Sequence, residues 1–223
     1  MLPSLAHQRP FATPNSPPRS PPAAAASQPR SASPIAVRSV ATEQQLLDFK
    51  AITRNYLEWL GEDLGFQGVE RELANLPGSY AAESGGCMLV AYDQGEAGEV
   101  CVGAVALRCL AGHTSTVSDS EEVVGVPLEQ VCEMKRLFVL PGHHGRGAGA
   151  VLVRALVAEA ERLGYRTMVL DTLDRLTGAN RLYSRLGFQP CERYNDCPLP
   201  GVLYFARRLG GLMVAVESPI VLI

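Results

Sequence analysis

Three glycines that alternate with other residues stand directly before a helical pattern, and this feature constrains the fold most. Gly145, Gly147 and Gly149 follow a strand-like run over residues 130–139 and precede an amphipathic pattern that continues to about Leu163. Glycine has no Cβ, so backbone N–H groups can approach a ligand. A helix N-terminus adds unpaired N–H donors and the positive end of a dipole. The stretch therefore predicts a cradle for phosphate, and a tight turn without a ligand is the alternative.

The spacing of the loop leaves the identity of the phosphate ligand open. A P-loop requires GxxxxGK[ST], which is absent from the chain. The dinucleotide fingerprint GxGxxG/A is satisfied by Gly145, Gly147 and Ala150, and Asp171 ends the next strand where a ribose-binding acid would stand. Residues 141–144 separate the strand from the glycines, however, and three meander-like strands precede the loop. A nicotinamide-dependent oxidoreductase remains an alternative.

The remaining elements predict a mixed α/β sheet. Thr42 and Gln45 form a capping-box pattern ahead of an apolar helix that should end near Gly61. A second short helix and three strand-like runs lead to the glycine loop. The loop helix, a strand at 167–172, a helix within 174–187 and two last strands follow. The predicted order is β-α-α-β-β-β-α-β-α-β-β.

Composition divides the chain into a tail, a domain and a short extension. Residues 1–34 are rich in Pro, Ser, Ala and Arg and contain no acidic residue, which predicts disorder. The same composition is typical of a transit peptide, of a chloroplast before a mitochondrion, and a plain disordered tail of a cytoplasmic protein is the alternative. Residues 35–209 form the predicted domain. The apolar segment 210–223 is too short to span a membrane.

Charge and cysteine content exclude several classes of function. The formal net charge is −3, so the chain has no general attraction to nucleic acid. None of the six cysteines forms a CxxC pair, and no His/Cys cluster has zinc spacing. We expect no metal and several free thiols, as in a reducing compartment.

Two motifs together resemble the GNAT superfamily of N-acetyltransferases. The first is "LFVLPGHHGRGAGAVLVRAL", with a Pro-containing turn after the strand and His144 at the first loop position, where Arg or Gln is usual. The second is "ANRLYSRLGF", with Tyr183 and Phe188 in the family's Leu-Tyr and Leu-Gly-Phe positions. The resemblance covers about residues 35–209. It implies a single α/β domain with a mostly antiparallel sheet, two splayed parallel central strands and flanking helices.

The resemblance also implies acetyl-CoA as the acetyl donor and an amine as the acceptor. The cofactor would lie between the two splayed strands, with its pantetheine arm along the first of them and its pyrophosphate on the loop. Many members carry an asparagine seven residues before the tyrosine; that position is Leu176 here, and Asn180 is the candidate in its place. The implied cofactor-binding residues are Leu137, Phe138, Val139, His144, Gly145, Arg146, Gly147, Ala148, Gly149 and Asn180.

The implied reaction is direct attack of a neutral amine on the thioester. Tyr183 is the candidate general acid, with a packing role as its alternative. Glu133 is the candidate base, with ion pairing to Lys135 or Arg136 as its alternative. Strand alternation places Glu133 and Lys135 on one face and Arg136 on the other.

The acceptor class and the assembly state are left open by the sequence. A small amine or amino acid is the first expectation for the acceptor, and a peptide amine is the second. The first two helices and the loop at 112–128 would shape its pocket. A monomer or homodimer is expected, and a non-catalytic acyl-CoA-binding module is the remaining alternative.

Overall fold

The structure is a computed structural model that describes residues 34–62, 65, 68–95, 98–111 and 122–210. The predicted tail, apart from Pro34, and the C-terminal extension, apart from Gly210, lie outside the described residues. Residues 112–121 of the predicted acceptor loop lie outside them as well. Within the described part of the chain, no helix is both long enough and apolar enough to cross a bilayer.

The predicted order of elements is confirmed, with one small hairpin added. The described strands are β1 (Ile35–Ser39), β2 (Cys87–Gly95), β3 (Gly98–Cys109), β4 (Glu122–Val123), β5 (Val126–Pro127), β6 (Val131–Val139), β7 (Thr167–Leu173), β8 (Gln189–Pro190) and β9 (Val202–Arg208). The described α-helices are α1 (Glu43–Leu60), α2 (Val69–Ala74), α3 (Ala148–Arg162) and α4 (Thr177–Arg185). The β4–β5 hairpin lies within the segment 112–128 that was predicted as a loop.

Local signals in the sequence set the ends of α1. Thr42 accepts a hydrogen bond from the Gln45 N–H, and the Gln45 side chain accepts one from the Thr42 N–H, which completes the predicted capping box. Gly61 ends the helix at φ 68°, a left-handed conformation that glycine adopts at little cost.

Seven strands form one sheet in the order β1-β2-β3-β6-β7-β9-β8. Every pairing in it is antiparallel except that of β6 with β7, so the predicted mostly antiparallel sheet is confirmed. The parallel pairing involves only Val131–Glu133 and 167–169. Beyond these residues β6 and β7 separate, which confirms the predicted splayed central strands.

The two faces of the sheet pack against different helices. On one face, Leu152, Leu156 and Tyr183 of α3 and α4 join a core that includes Cys132 and Met134 of β6. On the other face, Phe49 and Ile52 of α1 pack with residues of β2 and β3 and with Phe138. The sheet is therefore buried on both sides, and the gap between β6 and β7 opens between the two helical layers.

A β-bulge in β6 corrects the predicted alternation of its charged residues. The register with β3 shifts between Ala104 and Ala106, and Arg136 has φ 58°. Phe138 packs on the α1 side, and Arg136 bonds to Glu72 of α2. Lys135 contacts Glu133, which also faces away from α3. The extra residue places Lys135 and Arg136 on the same face, so the prediction of opposite faces was wrong.

Candidate active site

The separation of β6 and β7 opens a cleft of ≈ 950 Å³ between the two helical layers. Its floor comes from β6 and β7, and its walls come from α1, the glycine loop, α3 and α4. Cys197 and Leu199 of the segment between β8 and β9, and Val202 at the start of β9, also line it. A cleft of this size accommodates a cofactor-sized ligand.

The edge of β6 presents backbone groups to this cleft beyond the parallel pairing. The Leu140 N–H bonds to Val102 of β3, and the Phe138 carbonyl faces Gly103, also on β3. Because backbone groups alternate in direction along a strand, Leu137 and Val139 direct theirs into the cleft. Of the three predicted backbone contacts, Phe138 therefore contributes only its side chain.

The glycines of the loop serve two different purposes. Gly145 and Gly147 have φ of 76° and 85°, and a Cβ added to either would meet no protein atom within 4 Å. Gly149 instead sits in the first turn of α3, where an added Cβ would lie 3.3 Å from the Leu182 side chain. The first two allow the turn and leave open space beside it, and the third allows α3 to approach α4 closely.

The N-terminus of α3 ends at this open space. Gly147 is the N-cap and offers no side chain, so no side chain caps the first N–H groups of the helix. Ala148, Gly149 and Ala150 line the cleft here. Unpaired amides and the positive end of the helix dipole are the features that bind phosphate.

Arg146 and His143 bind Asp93 at the end of β2. The Arg146 guanidinium makes a bidentate pair with the Asp93 carboxylate, with Nη2 3.0 Å from Oδ1 and Nη1 on Oδ2. The His143 Nδ1 lies 3.1 Å from the same carboxylate. The predicted role of the Arg146 side chain in binding the cofactor is not supported, because this side chain anchors the loop to the sheet.

His144 lines the cleft and contacts the β6 edge. Its Nε2 lies 2.7 Å from the Val139 carbonyl oxygen, which as an acceptor requires the hydrogen on Nε2. The residue that replaces the usual Arg or Gln therefore links the phosphate loop to the strand end.

Two cations in the cleft were missed by sequence analysis. Arg154 on α3 and Arg185 on α4 are exposed, line the cleft, and have no ion pair with another described residue. Both lie on the elements that follow the glycine loop. Their spacing along two helices carries no sequence signal, because exposed arginines on helices are common.

Tyr183 is buried on α4 and lines the cleft. Its ring packs against Phe188 and Phe205, with centroid distances of 5.9 and 6.2 Å. Its hydroxyl forms no hydrogen bond to any residue that the structure describes. Burial raises the pKa of this phenol well above its usual value, so the hydroxyl keeps its proton at neutral pH.

Glu133 is 1% exposed and does not line the cleft. Arg108 Nη2 lies 2.6 Å from its Oε2, and the Tyr194 hydroxyl donates to Oε1 at 3.0 Å. Lys135 lies 3.5 Å from Oε1. These contacts do not support the predicted role as base, and they match the alternative of ion pairing, although at a buried position.

Asp171 is the one carboxylate among the described residues that lines the cleft. Lys135 Nζ lies 3.1 Å from its Oδ1. Burial alone would raise the pKa of Asp171, but the adjacent Lys135 charge outweighs burial and leaves the pKa below its usual value. The pKa of Lys135 changes in the opposite direction: burial alone would lower it, but the charges of Asp171 and Glu133 outweigh burial and raise it. Both groups remain charged.

Asn180 does not line the cleft. Its amide donates to the carbonyl oxygens of Leu173 and Asp174 at 3.0 and 3.2 Å, and Thr172 donates to its Oδ1 at 3.2 Å. The predicted cofactor contact is not supported, because the side chain joins the end of β7 to the start of α4.

No metal centre is present in the described part of the chain, where no three His, Cys, Asp or Glu side chains come together. All six cysteines are free thiols. Cys132 is buried, and burial raises its pKa well above the usual range, which makes it a poor nucleophile.

Comparison with known proteins identifies this arrangement. The model of the acetyltransferase (GNAT) family matches residues 53–188. The chain belongs to the GNAT family. An uncharacterized N-acetyltransferase of Schizosaccharomyces pombe is 41% identical over 170 residues, which cover 76% of this chain and 92% of the relative. An uncharacterized N-acetyltransferase of Dictyostelium discoideum is 27% identical, and the match covers 72% of this chain and 92% of that relative.

Solved structures agree on the fold. A GNAT-family acetyltransferase of Staphylococcus aureus has a TM-score of 0.58 at 18% identity, and covers 79% of this chain and 100% of its own. An acetyltransferase structure from Salmonella typhimurium, determined with its cofactor acetyl-CoA, has a TM-score of 0.54 at 20% identity, with 84% and 99% covered.

Family membership makes this GNAT protein an acyltransferase with acetyl-CoA as its acetyl donor. The site fits that donor: open space at Gly145 and Gly147, uncapped α3 amides, a free β6 edge, and two cations for phosphate. The oxidoreductase alternative was wrong, because the sheet has one parallel pair instead of a run of βαβ units. The alternative of a non-catalytic acyl-CoA-binding module is set aside because family membership makes the chain an acyltransferase.

Proposed function

We propose that this protein transfers the acetyl group of acetyl-CoA directly to the primary amine of a small molecule. The observation that carries the proposal is Tyr183, which lines the cleft where β6 and β7 separate and whose phenol pKa is raised by burial, so that its hydroxyl keeps its proton at neutral pH. A protonated phenol at this point is suited to supply a proton to a departing thiolate. The uncapped amides of α3, with Arg154 and Arg185 nearby, would hold the donor's phosphates.

In the proposed transfer, a protein group assists each change in bonding. The amine nitrogen attacks the thioester carbonyl carbon, and the oxygen gains negative charge. The Val139 N–H, which points into the cleft, is placed to donate to that oxygen. The carbon–sulfur bond then breaks, and the sulfur takes the Tyr183 proton.

The proton released by the amine requires an acceptor in the cleft. Asp171 is the carboxylate that lines it, whereas Glu133 is enclosed by Arg108, Lys135 and Tyr194. We therefore assign the contact with the amine to Asp171. The proton passes from Asp171 to solvent, and Tyr183 takes a proton back from solvent.

Release of free thiol from acetyl-CoA in the presence of a primary amine tests the proposal. We expect Tyr183→Phe to lower kcat by about a hundredfold, the low end of general acid catalysis, and to leave the Kd for acetyl-CoA unchanged. Tyr165→Phe is the matched control, because its hydroxyl bonds to the Gly85 carbonyl away from the cleft. Equal turnover by the Tyr183 variant and the control would refute the acid role.

A further inference from the structure

The half of the cleft that faces α1 has a polar floor and an aromatic wall. The bulge in β6 brings Lys135 and Arg136 to this face, and Asp171 joins them from β7. The donor elements, α3 and α4, lie on the other face of the sheet. If the proposed function holds, this half is where the acceptor amine binds.

The cations of this half are already paired within the protein. Arg136 makes a bidentate pair with Glu72, with Nε–Oε1 2.8 Å and Nη2–Oε2 3.1 Å. Lys135 lies between Glu133 and Asp171. Arg175 binds Glu62 at 2.7 Å and the Leu60 carbonyl at 2.9 Å. A carboxylate on the acceptor would have to displace an internal one, and the site therefore discriminates against it.

Aromatic rings form the wall above this floor. Tyr56 and Trp59 of α1 both pack on Phe138, with ring centroids 5.6 and 5.5 Å apart. All three line the cleft, and Trp59 is still 47% exposed. A large aromatic ring that stays half exposed beside a cleft provides a surface on which a flat apolar group can pack.

We infer that the acceptor is a primary amine on a flat apolar body, with no carboxylate beside the amine. Its amine donates a hydrogen bond to Asp171, and its body lies on Trp59 and Tyr56. The Lys135 charge next to Asp171 opposes protonation of the amine. Asp171 alone would favour the ammonium form of the amine, and the adjacent Lys135 charge offsets that preference, so that a neutral, nucleophilic nitrogen can reach the thioester.

Phenethylamine and L-phenylalanine form the decisive pair of probes, because they differ only by a carboxylate. We expect kcat/KM to be at least about tenfold higher for phenethylamine, which corresponds to about 1.4 kcal/mol. Equal or higher kcat/KM for L-phenylalanine would overturn the inference. A peptide with an N-terminal phenylalanine that is acetylated at about tenfold higher kcat/KM than phenethylamine would also overturn it.

Two variants test the residues. Trp59→Ala should lower kcat/KM for phenethylamine about tenfold. Leu47→Ala is the matched control, since Leu47 is 52% exposed on the same helix and lies outside the cleft. Asp171→Asn should lower kcat/KM about a hundredfold, against no change for Asp196→Asn, a surface carboxylate paired with Arg193. Unchanged kcat/KM in the Trp59 or Asp171 variant contradicts the assigned contact.

Failure of this inference can be told apart from failure of the proposed function. Calorimetric titration with acetyl-CoA is done first on the full chain. No heat of binding refutes the donor site and with it the proposed function. Binding of acetyl-CoA without turnover of phenethylamine overturns the acceptor assignment alone.

Discussion

Replacement of Arg146 by alanine should weaken acetyl-CoA binding although the Arg146 side chain does not line the cleft. The Arg146 guanidinium ties the glycine loop to Asp93, and the side chains of the two residues are 28% and 8% exposed. Breaking a fully buried pair costs 3–5 kcal/mol of unfolding free energy. We expect about 2 kcal/mol here, because Arg146 is partly exposed and His143 still contacts Asp93.

The effect on binding follows from the freedom that the loop gains. Ordering one backbone residue costs about 1–2 kcal/mol, so a loop that must be reordered on binding raises Kd about tenfold or more. Once acetyl-CoA is bound, the loop is in place, and kcat should stay within about threefold of the wild type.

Calorimetry gives Kd, and thiol release with saturating acetyl-CoA gives kcat. Arg162→Ala is the matched control, since Arg162 also lies on the loop helix and pairs with Glu159 at the surface. A variant at Arg146 that loses stability but binds acetyl-CoA as tightly as the control would refute the anchoring role.

Two further predictions concern stability and the loop turn. Glu72→Gln should lower the unfolding free energy by about 3 kcal/mol at neutral pH, because it removes the carboxylate from the buried pair of Glu72 with Arg136. Burial alone would raise the pKa of Glu72, but the adjacent Arg136 charge outweighs burial and leaves the pKa below its usual value. The extra unfolding free energy of the wild type is thus complete above the usual pKa of glutamate and is lost as pH falls through the folded pKa of Glu72. Thermal unfolding of both proteins across pH checks this, and a difference in stability that stays constant with pH contradicts it. Gly147→Ala should cost about 1–2 kcal/mol at φ 85° and raise the Kd for acetyl-CoA more than about tenfold. Gly61→Ala, at φ 68° outside the cleft, should cost similar stability without changing Kd, and equal Kd in both variants would contradict a phosphate site at the loop.

The parts of the fold that depend on local chemistry could be predicted from the sequence. The Thr42 capping box, the Gly61 stop and the strand–glycine loop–helix unit are all confirmed. Local signals were less reliable where pairing partners decide the length of an element. The first of the two predicted last strands became only the two-residue strand Gln189–Pro190, whose register partners on β9 are Ala206 and Phe205.

The charged residues of β6 show why part of the site could not be predicted. The bulge at Arg136 arises from the register between β3 and β6, which no local pattern contains. Without the bulge, regular alternation places Lys135 and Arg136 on opposite faces of the sheet. Glu133 is enclosed by partners distant in sequence, which the sequence does not reveal either. Partners distant in sequence, Glu72, Arg108 and Asp171, determine what these side chains do.

The central claim is that acetyl-CoA lies along the free edge of β6 with its phosphates on the N-terminus of α3. Titration of the isotopically labelled chain with acetyl-CoA, followed by amide chemical shifts, tests it residue by residue. We predict the largest shifts at Leu137, Val139 and residues 145–150, with little change at the outer strands β1 and β2. Saturable binding that leaves those amides unmoved and shifts others would contradict this account.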